Sequence, residues 1–347
     1  MEITRELFEQ QRRPRFGSAN PERMQFAFWE WMIRGDGLQP SPGSGLAAAG
    51  LIMREGVLKS SYGPYRARDL FNVPSNREDG PIWTFDRMGR TRSELPDERV
   101  VCIGGEHEDF YDPDFCIYND VVVFKADGET EIYGYPTDVF PPTDFHTATL
   151  IDQRIILIGG LGYKNARILG HTPVYALDIS DFHIDEIQTA GEMPGWIFEH
   201  QAEIDDAGII TIGGGQIVQE RDAKQKFLCN LDDYTLNLKS GIWCKITHRQ
   251  QRQFEIRRDD KLPFALRPLA KAEVLLPHTI EHSVVRCESR SAQIVVEGTD
   301  VSLEVGISEI QIIVQGLLSE EILVRLCEDI RINAQSIFQC RCSLKGL

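Results

Sequence analysis

The segment "EHEDFYDPDF" crowds Glu106, His107, Glu108, Asp109, Asp112 and Asp114 into nine residues. Hard oxygen donors beside one imidazole are the donor set of a divalent-cation site. The spacing matches no calcium-loop pattern, and a solvated acidic loop whose like charges face water is the simpler reading. A second stretch, "LGYKNARILGHT", supplies Tyr163, Lys164, Arg167 and His171, and a third carries Arg221, Lys224 and Lys226. Acidic and basic loops side by side suit a charge-patterned protein partner. His146 and His200 invite an acid–base pair, but each sits at the same place in a repeated phrase, which points to one structural hydrogen bond made twice. "CRC" at Cys340–Cys342 offers two soft donors, yet it lacks the CxxC form and no partner pair follows it. The chain has no GxSxG elbow, no Walker A loop, no GxGxxG after a strand and no HExxH. No catalytic set, metal or cofactor is assigned.

These residues hang on a repeated frame. "HTATLIDQRIILIGG" from His146 is echoed by "HQAEIDDAGIITIGG" from His200. Double glycines fall at Gly104–Gly105, Gly159–Gly160 and Gly213–Gly214, at intervals of 55 and 54 residues. Thirteen residues before each first glycine stand Thr91, His146 and His200, and seven before stand Asp97, Asp152 and Asp206. Each unit reads as a strand, a tight acidic turn, a buried strand and a Gly-Gly exit, where positive φ or a close backbone approach demands glycine. A third strand follows around Asp120–Phe124, Val174–Asp178 and "LDDYTLNL"; a fourth, weaker one lies near Glu131–Tyr135, Ile184–Gln188 and Trp243–Thr247. Four short antiparallel strands per repeat is the pattern of a β-propeller blade, which must pack on its neighbours to bury its faces. The connections 106–118, 161–172 and 215–230 are long loops that share one end of the blades.

"FHTATLIDQRIILIGG", "YNDVVVF" and Trp243 resemble the kelch repeat: a His-Ser/Thr/Ala start, an aliphatic strand, Gly-Gly, an Asn-Asp before an aliphatic–aromatic strand, and a closing Trp. Trp83 is similar to the closing Trp of an earlier, degenerate unit. Thr91 replaces the first His, and "TPVY" replaces Asn-Asp in the second unit. The resemblance spans residues 81–248 and implies a mainly β, kelch-like β-propeller, incomplete or atypical because only three units are clear. Kelch proteins most often act as binding scaffolds, so it also implies a non-enzymatic interaction protein. Its loop-rich face would bind a protein partner through Glu106, His107, Asp109, Tyr111, Asp112, Tyr163, Arg167 and His171, since Tyr and Arg are favoured interface anchors. The alternative it implies is a propeller enzyme acting on a small polar or sugar-like substrate, an epimerase or a metal-assisted lyase.

The flanks divide the chain of 347 residues further. Residues 1–80 read as a helix, with Phe26, Trp29 and Met32 as its apolar stripe, followed by a Gly/Pro-rich segment including "LQPSPGSGLAAAG". Residues 249–271 form a basic linker by composition, and residues 272–347 form a small α+β unit whose helix starts at Ser319. The net charge of −16 repels phosphate backbones and disfavours nucleic acid. No apolar run reaches the roughly 18 residues that span a membrane, and no secretory leader is evident at the start. Eight cysteines, mostly within apolar stretches, fit buried thiols in a reducing cytoplasm.

Overall fold

The computed structural model describes residues 3–34, 71, 73, 80–107, 115–221, 223–247, 251–264, 271–316 and 318–347. The chain is mainly β and divides into two compact units, Met1–Ile246 and Thr247–Leu347. Among the described residues no helix is long and apolar enough to cross a membrane.

The first unit contains three successive antiparallel sheets, each built on four strands in chain order. The first has Thr91–Glu94, Val100–Ile103, Val121–Phe124 and Thr130–Gly134. The second has Thr147–Ile151, Arg154–Ile158, Val174–Asp178 and Ile184–Glu186. The third has Gln201–Ile204, Ile209–Gly213, Tyr234–Asn237 and Ile242–Lys245. Two-residue strands finish two outer edges: Glu22–Arg23 on the first sheet and Ala190–Gly191 on the third. The first strands of consecutive sheets lie side by side.

Strand periodicity explains the layering. Successive side chains point to opposite faces, so a strand covered on both sides must be apolar throughout. "VVCI" and "VVVF" meet that requirement. Val100, Cys102, Val122 and Phe124 pack with Phe8, Phe28, Trp29 and Met32 of the N-terminal region, while Val101, Ile103, Val121 and Val123 pack with Ile155, Leu157 and Leu177 of the second sheet. The second sheet turns Ile156, Ile158, Val174 and Ala176 toward Ile210, Ile212, Leu236 and Trp243 of the third. The third sheet then alternates. Gln201, Glu203, Thr211, Thr235 and Asn237, together with Ile209, Ile242 and Cys244, form its outer face, and among the described residues no apolar cluster covers that face.

Two short helices flank the first sheet. In α1 (Arg5–Gln11), Thr4 Oγ1 accepts from Leu7 N–H at 3.2 Å as the N-cap. In α2 (Ala27–Arg34), Trp29 stacks on Trp83 with ring centroids 4.8 Å apart and planes 4° from parallel. Trp83 itself lies outside any described strand, and α2 packs against it. "LQPSPGSGLAAAG" lies outside the described residues.

The second unit is a six-stranded antiparallel sheet in the order Ser283–Cys287, Ser291–Val296, Thr299–Val305, Glu309–Gln315, Gln251–Arg258, Cys342–Gly346. Helix α3 (Glu320–Phe338) lays Leu323, Leu326, Cys327, Ile330, Ala334 and Phe338 on it, the helical spacing of one apolar face. Ser319 Oγ accepts from Ile322 N–H at 3.3 Å. The expected linker over 249–271 is corrected here. Gln251–Arg258 is an interior strand, paired on one side with Glu309–Gln315 and on the other with Cys342–Gly346. Phe254 and Ile256 alternate with Glu255 and Arg257, so a strand with one apolar face had the composition of a basic connector. The boundary accordingly lies at Ile246–Thr247, and the C-terminal unit starts well before residue 272.

Candidate functional site

The double glycines mark one end of the three sheets, and their job is contact between neighbours. Gly105 N–H donates to Thr143 O at 2.8 Å, and Gly160 N–H donates to Ile197 O at 2.8 Å. Each acceptor lies three residues before a histidine of the next sheet. Those histidines, His146 and His200, are buried, and their Nε2 atoms hydrogen-bond Thr91 Oγ1 at 2.9 Å and Thr147 Oγ1 at 3.1 Å, each on the sheet before. Burial drives the pKa of His146 down to about 3 and that of His200 down to about 4. Both rings are neutral structural pins near neutral pH.

Strand pairing revises the repeat register. Thr91 pairs with Ile103, Thr147 with Ile158, and Gln201 with Gly213. The third dyad is therefore Gly214–Gly215, both at positive φ, whereas Gly213 is the last residue of its strand. The first glycines then recur every 55 residues, and Arg90 rather than Thr91 takes the place of the histidines.

Beyond each dyad the chain leaves the sheet and returns. In the first repeat Glu106–His107 pairs with Cys116–Ile117, and Glu106 also bridges to Met88. In the third, residues 215–230 are not an open loop: Gln216–Arg221 and Lys224–Cys229 form a hairpin that pairs with Trp196–Phe198. The second repeat keeps an irregular loop with a single 3₁₀ turn at Lys164–Ala166.

Hydrogen bonds tie these returns in series. Tyr163 Oη accepts from Ile117 N–H at 2.9 Å, and burial pushes its phenol up to about 12. Arg167 donates to Leu161 O at 3.0 Å, Gly162 O at 2.9 Å and Gln225 Oε1 at 2.9 Å, and its guanidinium stands 5.5 Å from the Phe227 ring centre. Phe115 meets Tyr163 edge-on, with centroids 5.8 Å apart. His107 Nδ1 is 2.9 Å from Asp86 O. His171 departs from the group: its Nε2 is 3.8 Å from Glu186 on the outermost strand of the second sheet. Asp109, Tyr111 and Asp112 lie outside the described residues. Of the expected set, the structure brings together Glu106, Tyr163 and Arg167.

Asp144 joins them, and sequence patterning missed it. Its Oδ1 accepts from Gly162 N–H at 2.6 Å, and the Glu106 carboxyl and Arg167 lie near its carboxyl group. Burial raises its pKa. Its position two residues before the repeated His146 was the one available signal. A second buried group lies beneath the first return. Arg87 donates to Asp120 Oδ2 at 2.9 Å and to Gly104 O at 3.1 Å, with Trp83 Nε1 also on Asp120 Oδ2 at 2.8 Å. The Arg87 guanidinium lies 3.4 Å from the Tyr118 ring centre, and the charge of Asp120 raises its pKa against the opposing effect of burial. Among the described residues no cluster of three His, Cys, Asp or Glu side chains is arranged to hold a metal.

Among the described residues, this end exposes both polar side chains, such as Lys164, Asn165 and Lys224, and large apolar ones. Met88, Phe115, Ile168 and Phe227 are 52%, 40%, 64% and 42% exposed, and Met88 and Phe227 sit on backbone paired into the frame.

No protein-family model matches the chain, and no curated protein matches it. Among solved structures, one titled "Structure of YjhT" aligns over 67% of this chain and 66% of that chain, just under two thirds of its length, with 11% identity and a TM-score of 0.31. A likeness of that degree carries no argument about fold or function.

Proposed function

We propose that this protein is a non-enzymatic interaction protein: its three sheets are blades of a kelch-like, open β-propeller array, and the double-glycine end binds a protein partner. The side-by-side first strands and the evenly spaced dyads support the blade reading. One observation carries the binding reading, the group of exposed Met88, Phe115, Ile168 and Phe227 on a braced frame. Large apolar side chains held in water without loss of order on binding are what interface anchors require. The eight thiols, none in a disulfide, support a reducing, cytoplasmic setting. Crosslinked capture from the native host tests the reading. Ile168→Asp with Phe227→Asp should abolish a partner that survives Ile332→Asp, a change at an exposed position of the other unit. Identical partner sets for both variants would remove this end as the interface.

The carboxyl pair of Glu106 and Asp144 favours the alternative, acid–base or metal-assisted chemistry on a small polar substrate. Elemental analysis separates the two: a stoichiometric divalent metal in the wild type, lost in Glu106→Gln, would favour the enzyme.

A further inference from the structure

We propose that Cys340 and Cys342 form an oxidisable dithiol that exchanges with anionic low-molecular-weight disulfides, of which oxidised glutathione is the type. The two cysteines straddle the turn from α3 into the last strand, where Gln339 ends the helix in a left-handed conformation. Their sulfurs lie 3.8 Å apart. A disulfide needs about 2.05 Å, so the sulfurs must close by about 1.7 Å, within reach of side-chain rotation.

The two thiols are unequal in a useful way. Cys340 is half-buried and reaches an open cavity of about 610 Å³, lined by Arg331, Gln335, Gln339, Cys340 and Arg341. Cys342 is buried, its backbone held by Gln335 Oε1 on N–H at 3.0 Å and by Arg331 on its carbonyl at 3.1 Å. Burial first, then the hydrogen bond with Cys340, pushes the Cys342 thiol up to about 12. Cys340 is thus the entering thiol and Cys342 the resolving one. Arg331 and Arg341 at the mouth, with Arg258 near both sulfurs, attract the carboxylates of the incoming disulfide. Acidic neighbours are present too: Arg258 pairs with Asp260 at 2.6 Å, and Arg341 stands 3.5 Å from Asp259.

The chemistry balances in two steps. The Cys340 thiolate attacks one sulfur of the disulfide, whose S–S bond breaks and releases one thiolate. The Cys342 thiol then attacks Cys340 Sγ, passing its proton to the departing sulfur as the intrachain bond forms and the second thiol leaves. The two cysteines are oxidised, the small disulfide is reduced, and the leaving sulfurs take up the two cysteine protons.

The test uses the full reduced chain, exposed to a mixture of reduced and oxidised glutathione, quenched in acid and alkylated. Peptides are mapped with a protease that spares Arg341. The wild type should lose both alkylatable thiols and yield a Cys340–Cys342 peptide two hydrogens lighter. Cys342→Ser should stop at a glutathione adduct on Cys340, and Cys340→Ser should leave Cys342 unmodified. Two outcomes would overturn the proposal: both thiols fully alkylated while exposed Cys244 carries the adduct, or Cys340 crosslinked to a different cysteine.

Discussion

Replacing Gly159 by alanine isolates the contact between the second and third sheets. Gly159 has φ +69°, and a Cβ there would lie 2.3 Å from Ile197 O and 2.9 Å from His200 Cε1. Gly214, its equivalent on the third sheet, has φ +66°, and a Cβ there meets nothing within 4 Å. The left-handed backbone costs an alanine about 1–2 kcal/mol at either position. Only Gly159→Ala must also push back a backbone carbonyl, and overpacking of that kind costs about 1–3 kcal/mol. Gly214→Ala should therefore lose about 1–2 kcal/mol and Gly159→Ala about 2–5 kcal/mol. The assay is urea unfolding followed by tryptophan fluorescence. All five tryptophans lie within Met1–Ile246, so the signal reports the first unit even where the two units unfold separately. Equal losses in the two variants, or a larger one at Gly214, would refute the claim that the dyad is a packing device between sheets.

The buried histidines give a pH dependence with a definite sign. Their folded pKa values of about 3 and about 4 lie below the unfolded value, so between that value, about 6.5, and pH 4 the unfolded chain binds protons the folded one refuses, and stability falls as pH falls. In His146→Gln that fall should be shallower by up to about 1.4 kcal/mol per pH unit, and an unchanged slope would contradict the assignment. Asp120→Ala should cost about 3–5 kcal/mol by stranding the buried Arg87 guanidinium, whereas Arg87→Met combined with Asp120→Leu should recover most of the loss in the same urea assay. A fragment of residues 247–347 should unfold cooperatively by circular dichroism, because the apolar cluster under α3 is drawn entirely from that unit; a non-cooperative fragment would show that the sheet needs the rest of the chain.

The sequence by itself determined what local periodicity encodes. Alternating and continuous apolar runs marked the strands, the glycine dyads marked the sheet exits, and Ser319 with its apolar stripe marked α3, because each depends on residues a few positions apart. The length and chemistry of the loops singled out Glu106, Tyr163 and Arg167, which the fold brings near one another. Tertiary structure decided everything that rests on distant partners. "GGG" at Gly213–Gly215 offers two dyads, and only the pairing of Gln201 with Gly213 selects the second. "QRQFEIRR" has the composition of a basic connector until Glu309–Gln315 and Cys342–Gly346 take up its backbone hydrogen bonds. Asp144 finds Gly162 and Glu106, and Trp83 finds Trp29, only once sheets and helices stack. Which side chains stay in water at the double-glycine end was decided in the same way. Burial is a property of the neighbours a residue acquires, and those neighbours lie tens of residues away along the chain.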